Sequence, residues 1–446
     1  MRSLLLLVEM VALLPISLMY PFVGVLLFDW ISFMNPQQIS WGFASSLPWA
    51  LIAFVFTMAG WILSPAEPKR IAVTPLTVPI VLFVIGITVN LPFSLAPAAY
   101  AYDAWLRTAK IFLFLIVTAS LLTDKHRIDA MIWLIIISIG YYILDQGGIS
   151  VITLGAHKAF GPPNSQISDN NCFAAAVLVI VPLMNYLRLQ SRHALIRTGF
   201  GLAIALSILT VLASYSRGAL LGVLAVGFAF WLKSKKKVLS LVVIVTGLLV
   251  GVLFMPDKWW ERMDTIRHYQ HDASAESRLF IWRVAWQLFK QHPLTGVGFH
   301  ATAFHYVIDM ISPGGAVHDI HSIWLQILAE QGIVVFCIWL GMIAAGWVGC
   351  RRLARASRNH PEVAWAADLA RMGQISILAY VVTGTFLPIS SWDVFFTVLV
   401  TVGAANPIVA RQLAGQATPS EGSTWRRRVR PMRPIRPISG GLGASP

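Results

Sequence analysis

Charge is scarce in this sequence. Asp, Glu, Lys and Arg make up 12% of its 446 residues, about half the roughly 25% of a soluble domain. Such a composition excludes a water-soluble globular protein of this length. Cysteine is scarcer still. Cys172, Cys337 and Cys350 lie in or beside apolar runs, with no metal-ligand spacing and no disulfide framework, and read as small buried residues. Short alternating strands are missing, which excludes a membrane barrel. Internal repeats, heptads, a phosphate-cradling glycine loop and a dinucleotide fingerprint are missing too, and no cofactor is expected.

Apolar residues, by contrast, make up 57% of the chain. Runs of membrane-spanning length recur from end to end and predict an all-α, polytopic helical membrane protein. Twelve spans are expected, at about 4–33, 47–63, 75–93, 105–122, 128–144, 172–187, 199–213, 218–232, 238–255, 323–349, 372–389 and 393–410. The first carries Pro15 and Pro21, and its length fits one bent helix or two short ones. It is not read as a cleaved signal peptide, because Glu9 interrupts the run and no small-x-small site follows promptly.

The net charge of +14 invites a nucleic-acid reading, but its distribution argues against one. With the amino terminus in the cytoplasm, more than two thirds of the 34 Lys and Arg residues fall on the inner side. Every inner connection is then basic, as the positive-inside rule requires. The positive charge is therefore mostly a topology signal, and the bilayer rather than nucleic acid is the expected partner. Four regions follow: an amino-terminal membrane region over 1–255, a large outer loop over 256–322, carboxy-terminal spans over 323–410, and a basic, disordered cytoplasmic tail over 411–446 that touches anionic headgroups.

The long loop and its flanks hold the residues able to do chemistry. Arg217 sits at an outer helix mouth in Ser216-Arg217-Gly218, where a guanidinium either snorkels to the interface or clamps a phosphate bidentately. Arg278, Trp282 and Arg283 lie on an expected amphipathic segment, 277–290, with Phe280, Ala285, Trp286 and Phe289 seating it on the membrane. For Arg283 the competing reading is a solvated face. His318, Asp319 and His321 precede the tenth span. They fit helix-capping histidines or acid–base work, whereas a metal site lacks further ligands and none is expected. Glu330 falls two to three turns into that span, where a carboxylate is costly. It either works or is paired. Asp169, with Asp103, Asp145 and Asp393, is a further outer-side carboxylate.

In these residues the chain resembles the O-antigen ligase/polymerase superfamily. The resemblance rests on Ser216-Arg217-Gly218, on Ser277-Arg278 with Trp282, on His292-Pro293-Leu294-x-Gly296-x-Gly298-Phe299, and on His321-Ser322-x-x-Leu325-Gln326-x-Leu328-x-Glu330-x-Gly332. It is nearest to the O-glycosylation ligases associated with exosortase systems. That likeness also takes in Trp30 to Pro36, Thr74-Pro75-Leu76-Thr77, Gly161-Pro162-Pro163-Asn164 with Asp169-Asn170-Asn171, and Val317-His318-Asp319.

The resemblance implies a metal-independent, inverting glycosyltransferase in the bacterial inner membrane with its active site facing the periplasm. Such an enzyme passes a glycan from undecaprenyl-pyrophosphate to a hydroxyl of a protein, a polysaccharide or lipid A–core. By motif, Arg217 and Arg278 are expected to hold the donor pyrophosphate and His321 to be essential. Arg283, His318, Asp319, Asp169, Glu330 and Trp282 are expected to line the substrate site. A polymerase of the same superfamily is the alternative reading. A transporter is the more distant one, disfavoured because the charged candidates cluster at one interface and no paired repeat accompanies them.

Overall fold

A computed structural model describes residues 2–40, 42–65, 67, 69, 74–265 and 273–417. Within them the chain is helical throughout and forms no strand. The helices are α1 (Arg2–Met19), α2 (Pro21–Met34), α3 (Pro36–Ile39), α4 (Trp49–Leu63), α5 (Thr77–Asn90), α6 (Ala98–Leu121), α7 (Lys125–Ile152), α8 (Asn170–Gln190) and α9 (Ala194–Leu212). They continue with α10 (Arg217–Lys233), α11 (Lys237–Leu253), α12 (Asp257–Asp264), α13 (Ala273–Gln291), α14 (His305–Asp309), α15 (Ile323–Ala356), α16 (Ala364–Gly384) and α17 (Asp393–Ala417). The chain divides into a unit of residues 1–409 and a second of 410–446, of which only the end of α17 is described. The expectation of a disordered basic tail lies outside the described residues.

A helix stands at each of the twelve predicted positions, but they are unequal. Seven described helices are long and apolar enough to cross a membrane, or eight if α11 and α12, bent by 107°, are taken as one span. The apolar α2, α4 and α5 are shorter, at 14 to 15 residues. At 1.5 Å per residue they rise only about 21–23 Å, less than a hydrocarbon core of about 30 Å. α8 lies at the centre, packed by α16, α9, α10 and α7, and 83% of its apolar window is buried.

The first apolar run is two helices, broken where Pro21 follows Tyr20. They run antiparallel. Arg2 reaches the Ile39 carbonyl just beyond α2, while Gly60 at the end of α4 packs against the backbone of Ser17 and Leu18. Asn35 and Gln38 in turn bond to Pro163 and Asn164. The Arg2 end of α1 therefore sits beside the 161–164 connection. This corrects the expectation that the amino terminus shares the basic end of the bundle. Later connections keep their relative sides, since adding a helix moves only the start.

The basic end holds one ion pair between segments, two within single helices, and a lysine–amide bond between helices. Arg127 grips Glu67 bidentately at 2.8 and 2.9 Å, Lys125 pairs with Asp129, and Arg371 with Asp368. Lys233 donates to Gln374 at 2.6 Å.

The segment read as an outer loop is a folded cap. Ile281, Val284, Ala285 and Leu288 of α13 bury with Val297, Ala301, Val307, Ile308 and Ile320, closed by Ala96 and Ala101 at the start of α6 and Ala329 of α15. Of the residues expected to seat α13, Ala285 is buried and Phe280 and Trp282 pack against this core, whereas Trp286 is exposed and Phe289 half-buried.

Candidate functional site

The His292–Phe299 motif and the Gln326–Gly332 motif are one structural unit. Gly332 adopts φ +73° inside α15 and kinks it, so that carbonyls of the first helical stretch face outward instead of closing their ladder. The extended motif segment fills those positions. Val297 N–H donates to the Ala329 carbonyl at 2.9 Å, Gly298 N–H to the Glu330 carbonyl at 2.9 Å, and Ile333 N–H to the Pro293 carbonyl at 2.8 Å. Asn90 caps the Gln331 carbonyl at 2.7 Å. The approach admits no side chain: a Cβ at Gly296 would lie 2.4 Å from the Gln331 nitrogen, and one at Gly332 would lie 2.2 Å from the Leu294 oxygen.

This scaffold fixes the 317–322 segment beside three helix starts. His321 is half-buried, and its Nδ1 is buried with no hydrogen-bond partner among the described residues. Its carbonyl accepts from Trp282 Nε1 at 3.2 Å, so α13 holds the segment in place. Arg278, Asp319, Asp169 and His318 all act electrostatically on its ring. Burial pushes the imidazole below its ordinary value, Arg278 adds to that, and Asp319 and Asp169 oppose it. The neutral form, with an open nitrogen lone pair, is therefore favoured near neutral pH.

Asp169 caps α8, its carboxylate accepting from Asn171 N–H at 2.8 Å and Cys172 N–H at 3.2 Å. Asn170 donates to the Ser214 carbonyl at 2.7 Å and ties that cap to the turn before α10. Ser216 caps α10 and Arg217 is its first residue. The Arg217 guanidinium donates to Thr265 Oγ1 at 2.9 Å, at the end of α12. Its neighbour Gly218 faces Phe386, whose ring stacks on Trp282 at 6.3 Å. Arg217 and His321 are thus linked through the Phe386–Trp282 pair.

Of the expected site residues, Trp282 bonds to the His321 backbone, and Arg278, Asp319, Asp169 and His318 act electrostatically on its ring. Glu330 lies behind them, 3% exposed, accepting from His300 N–H at 3.1 Å and Gln326 Nε2 at 3.4 Å. Arg283 is exposed and bonds within its own helix, to the Leu279 carbonyl. Among the described residues no group of three or more His, Cys, Asp or Glu is arranged to hold a metal. Trp259 packs as a structural residue, buried and bonded to the Leu212 carbonyl at 2.9 Å.

Two features escaped sequence reasoning. His300 stands between Asp319 and Glu330, its Nδ1 3.9 Å from a carboxylate oxygen of each. Its position directly after the glycine motif was the available signal. Asp29 is buried in α2 near Asp393, and Ser32, one turn on, donates to Asp393. A lone carboxylate in an apolar run was the signal there.

Residues 202–340 match a family model described as O-antigen ligase. The match contains Arg217, Arg278, His318, His321 and Glu330. Residues 1–192 match a second, described as a family of unknown function (DUF5935). No curated protein matches the chain. Fold and match together describe a helical, multi-pass membrane protein with a region of O-antigen ligase type, which points to membrane glycosyl transfer.

Proposed function

We propose that the chain is a membrane glycan ligase. It takes a glycan from undecaprenyl-pyrophosphate at the periplasmic face of the inner membrane and delivers it to an acceptor hydroxyl. The observation that carries this reading is the convergence of Arg278, Asp319, Asp169 and His318 on a half-buried His321, inside the O-antigen ligase match.

The chemistry follows from the groups. A lipid pyrophosphate keeps its tails in the bilayer and its charge at the interface. Arg278 and Arg217 neutralise the leaving pyrophosphate, helped by the positive end of α10, whose first residue is Arg217. Neutral His321 accepts the acceptor hydroxyl's proton as the oxygen attacks the anomeric carbon. The bond to the pyrophosphate oxygen breaks on the opposite face, so configuration inverts. Asp319 and Asp169 stabilise the imidazolium that forms. No metal is assigned a role, because two arginines supply the charge that a divalent ion would otherwise bring.

The test is reconstitution. Purified protein in lipid nanodiscs, given an undecaprenyl-pyrophosphate oligosaccharide and separate protein, polysaccharide and lipid A–core acceptors, should release undecaprenyl pyrophosphate and glycosylate one acceptor. Extension of the donor glycan itself would identify a polymerase. No transfer with any acceptor would overturn the reading.

A further inference from the structure

We propose that His300 is a positioning residue that ties the buried Glu330 to Asp319 and thereby sets the charge that Asp319 presents to His321. The proposal deepens the reading of His321 as the base, and its test does not depend on turnover.

The turn that carries His300 is built for this. Gly298 at φ +88° and His300 at φ +49° fold the chain back on α15, so that the His300 N–H meets Glu330 Oε1 at 3.1 Å. Glu330 is held from its own helix by Gln326, whose Oε1 accepts the Ser390 N–H at 3.3 Å. The imidazole then projects from a fixed backbone, with Nδ1 3.9 Å from both Glu330 Oε1 and Asp319 Oδ1. Only Glu330 is buried. Its side chain is 4% exposed, against 40% for His300 and 55% for Asp319. A buried carboxylate needs a partner, and here that partner extends to the exposed carboxylate two residues before the catalytic histidine.

Other charges face the same cluster. Arg107 and Tyr100 of α6 face Asp319 and Glu330, and Arg278, Asp169 and His318 act on His321. Against that background the imidazole of His300, when protonated, offsets part of the Asp319 charge. Removing it leaves the whole of that charge acting on His321, which favours the imidazolium.

The test reads the imidazole directly. Diethyl pyrocarbonate acylates neutral imidazole, and mass spectrometry resolves the rate at each histidine from pH ~5 to ~8. His300→Gln keeps the backbone bond to Glu330 and should raise the His321 midpoint by roughly half a unit. Glu330→Gln should shift it in the parent, by changing the hold on His300, and leave it unchanged in a His300→Gln background. In an Asp319→Asn background His300→Gln should have no effect. His157 and His360 act as internal folding controls and should not move. An unmoved His321 midpoint in His300→Gln overturns the proposal, as does an equal effect of Glu330→Gln with or without His300. A fully active His321→Ala protein would instead refute the catalytic reading and leave this coupling standing.

Discussion

In the proposed reaction His321 is the base, and its environment sets the sign of the pH effects expected of it. Its imidazole is held below the ordinary value near 6.5 by burial and by Arg278. A base must be neutral, so transfer should persist through neutral pH and fail only as the pH falls below about 6.5. Asp319→Asn removes a charge that favours the imidazolium, so the acidic limb should move to lower pH. Arg278→Gln should move it higher while also slowing the step. Rates of transfer against pH for the three proteins check both directions. Arg278→Lys should recover only part of the rate lost in Arg278→Ala, because a point charge does not reproduce the planar fork. Full recovery with lysine would show that charge alone suffices there.

At the scale of elements, the kinked α15 and the glycine motif hold the site together. Gly332→Ala places a Cβ 2.2 Å from the Leu294 oxygen on a backbone that already has φ +73°. It should cost on the order of 1–3 kcal/mol or more and lower the thermal midpoint in detergent by several degrees. Ala at Gly314, also at positive φ but with open space around it, should cost less. Equal losses would show that backbone conformation, not the contact with the 293–298 segment, is what Gly332 supplies.

This unit also shows what the sequence discloses. Both motifs were visible, and so were the helices, since hydropathy and capping residues act locally. That one motif serves as the hydrogen-bond partner of the other was not visible, because it depends on a kink that only the folded helix displays. Which residues of the amphipathic α13 enter the core was hidden for a related reason. Aromatic and aliphatic residues both recur at helical spacing there, and the tertiary partners chose Ile281, Val284 and Leu288.

For the whole molecule, hydropathy and charge placed the helices and the basic end, and antiparallel α1 and α2 corrected the start. Arg2 lies by Ile39, and residues 35–38 lie by 163–164. The account therefore expects Arg2 and Pro313 on one face of the membrane, with Lys236 on the other. Single cysteines at these positions, in a background lacking Cys172, Cys337 and Cys350, should be labelled by an impermeant maleimide as one pair and one exception. Labelling of position 2 together with position 236 would restore a single first span. Ser32 donates to Asp393 more than three hundred positions away, a contact that no local pattern announces.

The central claim is that His321 removes the acceptor proton while the arginines carry the leaving group. The most direct measurement is single-turnover transfer from a purified undecaprenyl-pyrophosphate donor, comparing the parent, His321→Ala, His318→Ala and the parent with a strong chelator. The account predicts a loss of roughly 10²–10⁴-fold for His321→Ala, a much smaller one for His318→Ala, and full activity with chelator. Undiminished transfer by His321→Ala, or chelator inhibition reversed by a divalent ion, would contradict it.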